Sequence, residues 1–202
     1  MSPEPESPAV GTRARVPRIV VTGGESTGKT TLAAALAKAL GSLWVPEYSR
    51  SYAEQVGRAL TSADVAPIAR GQAAVEDAAI ERWRAQFGRS RDAPPLVLDT
   101  DLVSTTVYAE HYYGACPEWI MAAARERLGD LYLLCEPDLP WEADGVRDQP
   151  AAGTRLHSAF GERLRTLGAR VAPVRGIGHT RLEAALAAVR TALVSPAVDS
   201  GR

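Results

Sequence analysis

The chain is poor in residue types that mark several protein classes. Two of its 202 residues are cysteines, Cys116 and Cys135, and their spacing does not match a metal or redox site. We expect both to be small apolar side chains in a reducing compartment. No apolar run reaches the roughly 18 residues of a membrane span, and the first residues lack the basic-then-apolar order of a signal peptide. These absences predict a cytoplasmic protein with no membrane partner.

An excess of either charge is also missing. The 23 basic and 24 acidic residues give a formal net charge of -1, which argues against a polyanionic partner such as a nucleic acid. Any phosphate must therefore be bound locally. Lysine is the scarce cation, because Lys29 and Lys38 are the two lysines among the 23 basic residues. A lysine at position 29 indicates a need for a compact, flexible ammonium, which a planar guanidinium does not replace.

The hydrophobic fraction of 46% suits one globular domain with a real core. Continuous short apolar runs predict strands buried on both faces. They lie at residues 18–22, 42–46, 95–99, 131–135 and 169–174. Helical patterns separate them at residues 31–40, 61–87, 101–112, 117–128, 154–167 and 180–194. This alternation predicts a three-layer α/β domain around a five-stranded parallel sheet.

The ends of the chain have a different composition. Residues 1–17 are rich in Pro, Glu, Ser and Arg and are predicted to form a disordered leader. Residues 18–195 are predicted to form the folded domain, and residues 196–202 a flexible tail.

The stretch IVVTGGESTGKTTLAAAL carries the strongest motif, GxxxxGK[ST]. Glycines let the backbone approach an anion, and the loop amides and the following helix N-terminus point positive dipoles at it. We predict that this phosphate-binding loop holds ATP, with Lys29 at the β- and γ-phosphates and the Thr30 hydroxyl on Mg²⁺. The alternative is a glycine-rich turn with a surface lysine. The predicted nucleotide-binding residues are Gly23, Gly24, Glu25, Ser26, Thr27, Gly28, Lys29, Thr30 and Thr31.

Two aspartates follow the apolar run PLVLD. Asp99 closes the run and is predicted to bind the metal together with Thr30. Asp101, two residues later, would face the same side if the strand continues. We predict a catalytic role for both, one near the metal and one at the acceptor hydroxyl, without assigning which is which. The alternative for Asp101 is that it caps the helix beginning at Leu102.

The loop and the aspartates occur together with the segments VPEYSRSY, LVLDTDLVST and YLLCEPDLPWEADGVRD and with Gln72. In this combination the chain resembles the ribosylnicotinamide kinase domain of NadR-like proteins, over roughly residues 18–182. The resemblance implies a P-loop kinase that transfers the γ-phosphoryl of ATP to the 5′-hydroxyl of nicotinamide riboside. NadR proteins also carry a DNA-binding region and an adenylyltransferase domain, for which this chain shows no counterpart.

The segment PEYSR follows the second predicted strand, where an α/β sheet opens its ligand crevice. Glu47 is predicted to orient or deprotonate the acceptor hydroxyl, and Arg50 to contact the acceptor. A solvated loop acid paired with Arg50 is the alternative for Glu47. Gln72 is predicted either to contact the acceptor or to be an ordinary polar residue of its helix.

Residues 136–155 combine Pro, Gly, Trp and charge, which predicts a mobile lid. Arg147 is predicted to act in catalysis and Arg155 to contact the nucleotide. Trp141 is predicted to attract the pyridinium cation of the acceptor, supported by acidic neighbours such as Asp144. Packing of the lid hinge is the alternative for Trp141.

Two further segments complete the predicted site. Gly176 lies in a loop where P-loop kinases approach the adenine, and it is predicted to contact the nucleotide. Tyr108, Tyr112, Tyr113 and Trp119 are predicted to serve helix packing. Besides nicotinamide riboside, another nucleoside or small alcohol remains open as the acceptor. A nucleotide-dependent switch is the alternative from another functional class, although a switch does not need a lid.

Overall fold

The structure, a computed structural model, describes residues 15–88, 90, 92–138 and 150–194. Its strands form one parallel sheet with the order β2-β3-β1-β4-β5. They are β1 (Arg18–Thr22), β2 (Trp44–Val45), β3 (Leu96–Asp99), β4 (Leu131–Cys135) and β5 (Val171–Val174). The predicted α/β fold with a five-stranded parallel sheet is confirmed. β2 is shorter than predicted, and it stops before Pro46, which has no N–H for the ladder.

Helices connect the strands and cover both faces of the sheet. They are α1 (Lys29–Leu40), α2 (Tyr48–Val56), α3 (Val65–Phe87), α4 (Leu102–Tyr113), α5 (Glu118–Glu126), α6 (Pro150–Thr166) and α7 (His179–Val194). A short 3₁₀ turn, Ser62–Asp64, precedes α3. The α3 helix therefore begins later than predicted. Helix α2 was not predicted at all, because its polar sequence leaves none of its residues buried.

Two apolar layers hold the sheet between the helices. Val20 and Leu98 point to the face covered by α3, α4 and α5, whereas Ile19, Val21 and Val97 point to the face covered by α1 and α7. This is the alternation that a strand buried on both faces requires.

The packed region extends beyond the predicted boundary at its start. Val16 is buried in the first apolar layer, so the packed part of the chain includes a residue that we predicted to lie in the leader. Residues 1–14 and 195–202 lie outside the described residues, so the rest of the predicted leader and the tail stay predictions. Within the described ranges, no helix is both long enough and apolar enough to cross a bilayer.

The sheet order brings the two strongest motifs together. β1 pairs with β3, with Val21 opposite Asp99. Because both strands run in the same direction, the loop after β1 and the carboxyl end of β3 lie at one edge of the sheet.

Candidate active site

The phosphate-binding loop joins β1 to α1. Gly28 precedes α1 in a left-handed conformation with φ of 75°, which favours glycine. Gly23 has φ of 135°, and a Cβ at this position would lie 2.9 Å from the carbonyl oxygen of Cys135. Glycine is thus required here both for the backbone conformation and for the close approach to β4.

Lys29 turns back over this loop. Its Nζ donates to the carbonyl oxygen of Gly24 at 2.7 Å, and the Thr27 hydroxyl donates to the same oxygen at 2.8 Å. The side chain is buried, so the alternative of a surface lysine is wrong. Loop amides, a helix N-terminus and an ammonium in this arrangement are chemically suited to hold an anion.

Asp99 is a buried carboxylate at the end of β3. Neither of its oxygens makes a hydrogen bond to another described residue. Burial raises the pKa of Asp99 above its usual range, and the Lys29 charge opposes this rise. A buried carboxylate without a partner costs free energy unless a cation lies beside it. Oxygen ligands from Asp99 and Thr30 fit Mg²⁺, which prefers hard oxygen donors.

The carboxylate of Asp101, unlike that of Asp99, has hydrogen-bond partners among the described residues. Its carboxylate caps α4 by accepting from the Val103 N–H at 3.0 Å and accepts from the Tyr132 hydroxyl at 2.5 Å. Burial raises its pKa to about 6, and the hydrogen bonds from Tyr132 and the backbone oppose the rise. Of the two predicted roles, the capping role is the one that the structure contains. The residue does not line the cavity described next, and its contact with the acceptor stays a prediction.

A cavity of about 510 Å³ opens beside the phosphate-binding loop, between α2, α3 and α4. Lys29 and Glu25 line its loop side, Glu47 and Arg50 come from the start of α2, and Gln72 from α3. Sequence analysis predicted all five as site residues, and the structure brings them together. Lys29 and Glu47 thus share one cavity.

Two carboxylates, Glu25 and Glu47, and two cations, Lys29 and Arg50, line this cavity. Burial raises the pKa of Tyr108 well above its ordinary value, and the negative charges of Glu47 and Glu25 raise it further. The Ser49 hydroxyl donates to Oε1 of Glu47 at 2.9 Å, and this bond fixes the orientation of that carboxylate. The negative charge near Tyr108 can attract a cationic group to this part of the cavity.

Tyrosines of α4 form one wall of the cavity. The rings of Tyr108 and Tyr112 are parallel within 4°, with centroids 6.1 Å apart. The Tyr112 hydroxyl donates to Oε1 of Glu25 at 2.8 Å. Tyr113 also lines the cavity. The prediction of helix packing holds for the edge contact of Tyr108 with Phe160 but misses this wall.

The spacing of Tyr108 and Tyr112 could have revealed this cavity wall, because residues four apart share one helix face. Helix α4 also begins at the edge of the sheet where the phosphate-binding loop lies. Trp119, predicted to pack between helices, is 43% exposed. The guanidinium of Arg70 lies over its ring, 5.1 Å from the centroid.

Arg181 supports the phosphate-binding loop from α7, a role that sequence analysis missed. It is buried and donates to the carbonyl oxygen of Thr27 in the phosphate-binding loop and to that of Gly176 at 2.6 Å. It also donates to the carbonyl oxygen of Glu136 and the carboxylate of Asp138. The loop RGIGHTR was its only sequence signal. Gly176, predicted at the nucleotide, is thus tied to the phosphate-binding loop through one side chain.

Several predicted residues stay predictions. Trp141, Asp144 and Arg147 lie outside the described residues, as does most of the predicted lid. Arg155 is described and lies exposed on α6. Of the remaining loop residues, Glu25, Ser26 and Thr31 are exposed.

Comparison with known proteins agrees with this geometry. A model of the AAA domain family matches residues 18–181. The trifunctional NAD biosynthesis/regulator proteins NadR of Salmonella typhimurium and Escherichia coli are each 32% identical over 133 residues, which are 64% of this chain and 30% of each relative. The chain thus matches less than a third of the length of these relatives.

Solved structures show the same fold. A NadR structure in complex with NR has a TM-score of 0.68 at 23% identity, covering 93% of this chain and 54% of that one. Thymidylate kinase from Ehrlichia chaffeensis has a TM-score of 0.60 at 14% identity, covering 87% of this chain and 97% of that one. The family match spans the phosphate-binding loop, Asp99, the cavity and Arg181. The chain therefore belongs to the AAA domain family and has the fold of P-loop kinases.

Proposed function

We propose that the protein is an ATP- and Mg²⁺-dependent kinase that phosphorylates the 5′-hydroxyl of a nucleoside. One observation carries this proposal: Lys29 and Glu47 line the same cavity. A phosphate-binding ammonium and a carboxylate that can take a proton thus meet across a space large enough for a small molecule. A NadR structure in complex with NAD and AMP-PNP supports ATP as the donor.

The residues divide the reaction between them. Loop amides and Lys29 hold the phosphates and neutralise charge on the transferring group. Glu47 accepts the proton of the acceptor hydroxyl as its oxygen bonds to the γ-phosphorus. The bond from that phosphorus to the β,γ-bridging oxygen breaks, and ADP leaves. Asp99 and Thr30 would hold Mg²⁺, which supplies further charge neutralisation at the phosphates. The burial of Asp101 away from the cavity favours Glu47 as the base.

Nicotinamide riboside is the acceptor that we propose first. Its pyridinium ring is a permanent cation, which suits the carboxylates of Glu25 and Glu47 and the faces of Tyr108 and Tyr112. The NadR relatives and the NadR structure with NR, which we take to be nicotinamide riboside, support this choice. Arg50 and Gln72 would contact its ribose. In this proposal Trp141, Asp144, Arg147 and Arg155 keep their roles predicted from sequence, and the protein acts in the cytoplasm without nucleic acid or membrane.

Another acceptor is the second candidate. The same fold serves thymidylate kinase and a deoxyadenosine kinase from M. mycoides, whose structure has a TM-score of 0.51. The charges that line the cavity, Glu25 and Glu47 against Lys29 and Arg50, leave uncharged nucleosides open as acceptors.

An ADP-release assay against a panel of nucleosides tests the proposal. We expect nicotinamide riboside to give the highest kcat/KM and Lys29→Ala to lower turnover about 10² or more, because it removes a charge that acts on the transferring group. Lys38→Ala is the matched control, since Lys38 is exposed on α1, and it should match the wild type.

Two results would contradict parts of this proposal. Release of ADP that no acceptor accelerates would contradict the kinase and favour a nucleotide-dependent switch. Phosphorylation of other nucleosides with nicotinamide riboside untouched would overturn the substrate alone.

A further inference from the structure

Glu76 is a buried acid behind the cavity that the proposed reaction does not use. It lies on α3, one turn after Gln72, and is 1% exposed. Its two oxygens serve different donors. Oε1 accepts from Nε2 of Gln72 at 3.0 Å, and Oε2 accepts from the guanidinium of Arg127 at 3.1 Å.

The other end of the Gln72 amide reaches α2. Its Oε1 accepts from the Tyr48 N–H at 3.0 Å. Tyr48 is the first residue of α2, and the N-cap residue Glu47 makes no side-chain capping bond. Gln72 thus supplies from α3 the acceptor that a helix N-terminus needs.

This link matters because α2 is weakly anchored. None of its residues is buried, yet its first turn holds Glu47 and Arg50 at the cavity. An amide has one donor end and one acceptor end. Its oxygen faces Tyr48 as long as its nitrogen has an acceptor on the opposite side, which is Glu76.

We propose that Glu76 is a positioning residue, which orients the Gln72 amide and thereby holds the start of α2, with Glu47 and Arg50, at the acceptor site. This inference rests on the proposed function for its effect on catalysis. The structural link itself can be measured without activity.

Position 76 needs a carboxylate rather than an amide, because two donors approach it. A glutamine offers one oxygen, and the charged Arg127 competes for it more strongly than the neutral Gln72. In Glu76→Gln the nitrogen of residue 76 then faces Gln72, whose amide must turn its own nitrogen toward the Tyr48 N–H. Two donors cannot bond each other, so the start of α2 is released.

Three variants separate this role from simple stability. Glu76→Gln breaks the link. Asp77→Asn is the matched control, because Asp77 also accepts from Arg127, at 2.7 Å, but its side chain is 62% exposed. Glu76→Gln with Arg127→Met is the rescue, since without the guanidinium the single oxygen of Gln at position 76 is free for Gln72.

Measurements at roughly pH 8.5 keep Glu76 ionised, because burial and the Asp101 charge raise its pKa to about 7. We expect Glu76→Gln to raise the acceptor KM about tenfold and to leave the ATP KM within about twofold. Exchange of the Tyr48 amide with solvent, followed by NMR, should become about tenfold faster. Asp77→Asn should match the wild type, and the double variant should recover both values.

An acceptor KM within about twofold of wild type in Glu76→Gln, or a double variant that is no better than Glu76→Gln, overturns the inference. Lack of kinase activity in the wild type instead overturns the proposed function. The exchange of the Tyr48 amide then decides the inference alone, with faster exchange in Glu76→Gln and recovery in the double variant supporting it.

Discussion

At the scale of single residues, Arg181 joins the phosphate-binding loop to two neighbouring loops. Its guanidinium donates to carbonyl oxygens of Thr27, Glu136 and Gly176 and to the Asp138 carboxylate. Asp138 in turn accepts from the Gly176 N–H at 2.7 Å. The planar fork of an arginine reaches acceptors in several directions, whereas a lysine offers three donors around one nitrogen. One side chain thus sets the relative positions of three loops.

We therefore expect Arg181→Lys to weaken nucleotide binding, because some of these carbonyls lose their donor and the phosphate-binding loop loses a support. The KM for ATP should rise about tenfold, with the acceptor KM within about threefold. Steady-state kinetics with both substrates varied will measure this. Arg190→Lys is the control on the same helix, as Arg190 is exposed. An unchanged KM for ATP would show that the three loops hold their positions without Arg181.

Residues differ in how far the sequence alone reveals them. Lys29 and Asp99 were predictable because each lies in a motif whose chemistry requires that residue type. Asp101 was ambiguous, since a strand that continued would have turned it to the cavity, whereas the chain bends into α4 and buries it beside Tyr132. Arg181 lies 154 residues from its partner Thr27. No local sequence pattern predicts such a contact.

At the scale of elements, the contact between α2 and α3 depends on a glycine. Gly71 lies in the second turn of α3, and a Cβ at this position would lie 1.9 Å from Cε1 of Tyr48. The absence of a side chain lets the Tyr48 ring pack directly on α3. This packing and the hydrogen bond from the Tyr48 N–H to Gln72 hold the same end of α2.

Gly71→Ala should accordingly displace the Tyr48 ring and raise the acceptor KM about fivefold, although alanine favours a helix by roughly 1 kcal/mol. Gly161→Ala is the matched control, because the nearest atom to its Cβ, in Leu134, lies at 3.9 Å. This control should leave the kinetics unchanged and hold or raise the melting temperature. Equal kinetics in the two variants would contradict the role assigned to the Tyr48 ring.

The elements also show where sequence patterns stop being informative. Strands β1, β3 and β4 were predictable, because a continuous apolar run is what two covered faces require. Helix α2 was not, since its nine residues bury no side chain and so give no apolar period. Its position depends on groups of α3, namely the space at Gly71 and the amide of Gln72, and these appear only once the chain is folded.

At the scale of the whole molecule, buried acids make stability depend on pH. The pKa of Glu76 is raised to about 7 and that of Asp101 to about 6, chiefly by burial. The folded protein therefore holds protons that the unfolded chain releases, so the free energy of unfolding falls as pH rises through this range. Asp64 acts in the opposite sense, because Arg58 and the Thr61 amide hold its pKa well below the usual range. The contribution of Asp64 to the free energy of unfolding is lost as the solution becomes strongly acidic.

We expect the protein to be less stable at pH 8 than at pH 5, by on the order of 2 to 4 kcal/mol. Urea unfolding at both pH values will measure this difference. Asp101→Asn should reduce the difference by roughly half, because asparagine also caps a helix but carries no charge. A difference that stays at its wild-type size in Asp101→Asn would mean that Asp101 does not titrate in this range.

The sheet has two edge strands in the described part of the chain, and both are poorly suited to pair with a strand of another molecule. β2 has two residues. β5 contains Pro173, and β4 bonds to it through the carbonyls of Arg170 and Val174. By the alternation of a parallel ladder, the nitrogen of Pro173 faces outward and carries no hydrogen. Amyloid-like growth by strand addition is therefore blocked at this side, and concentrated samples should self-associate, if at all, through helical surfaces.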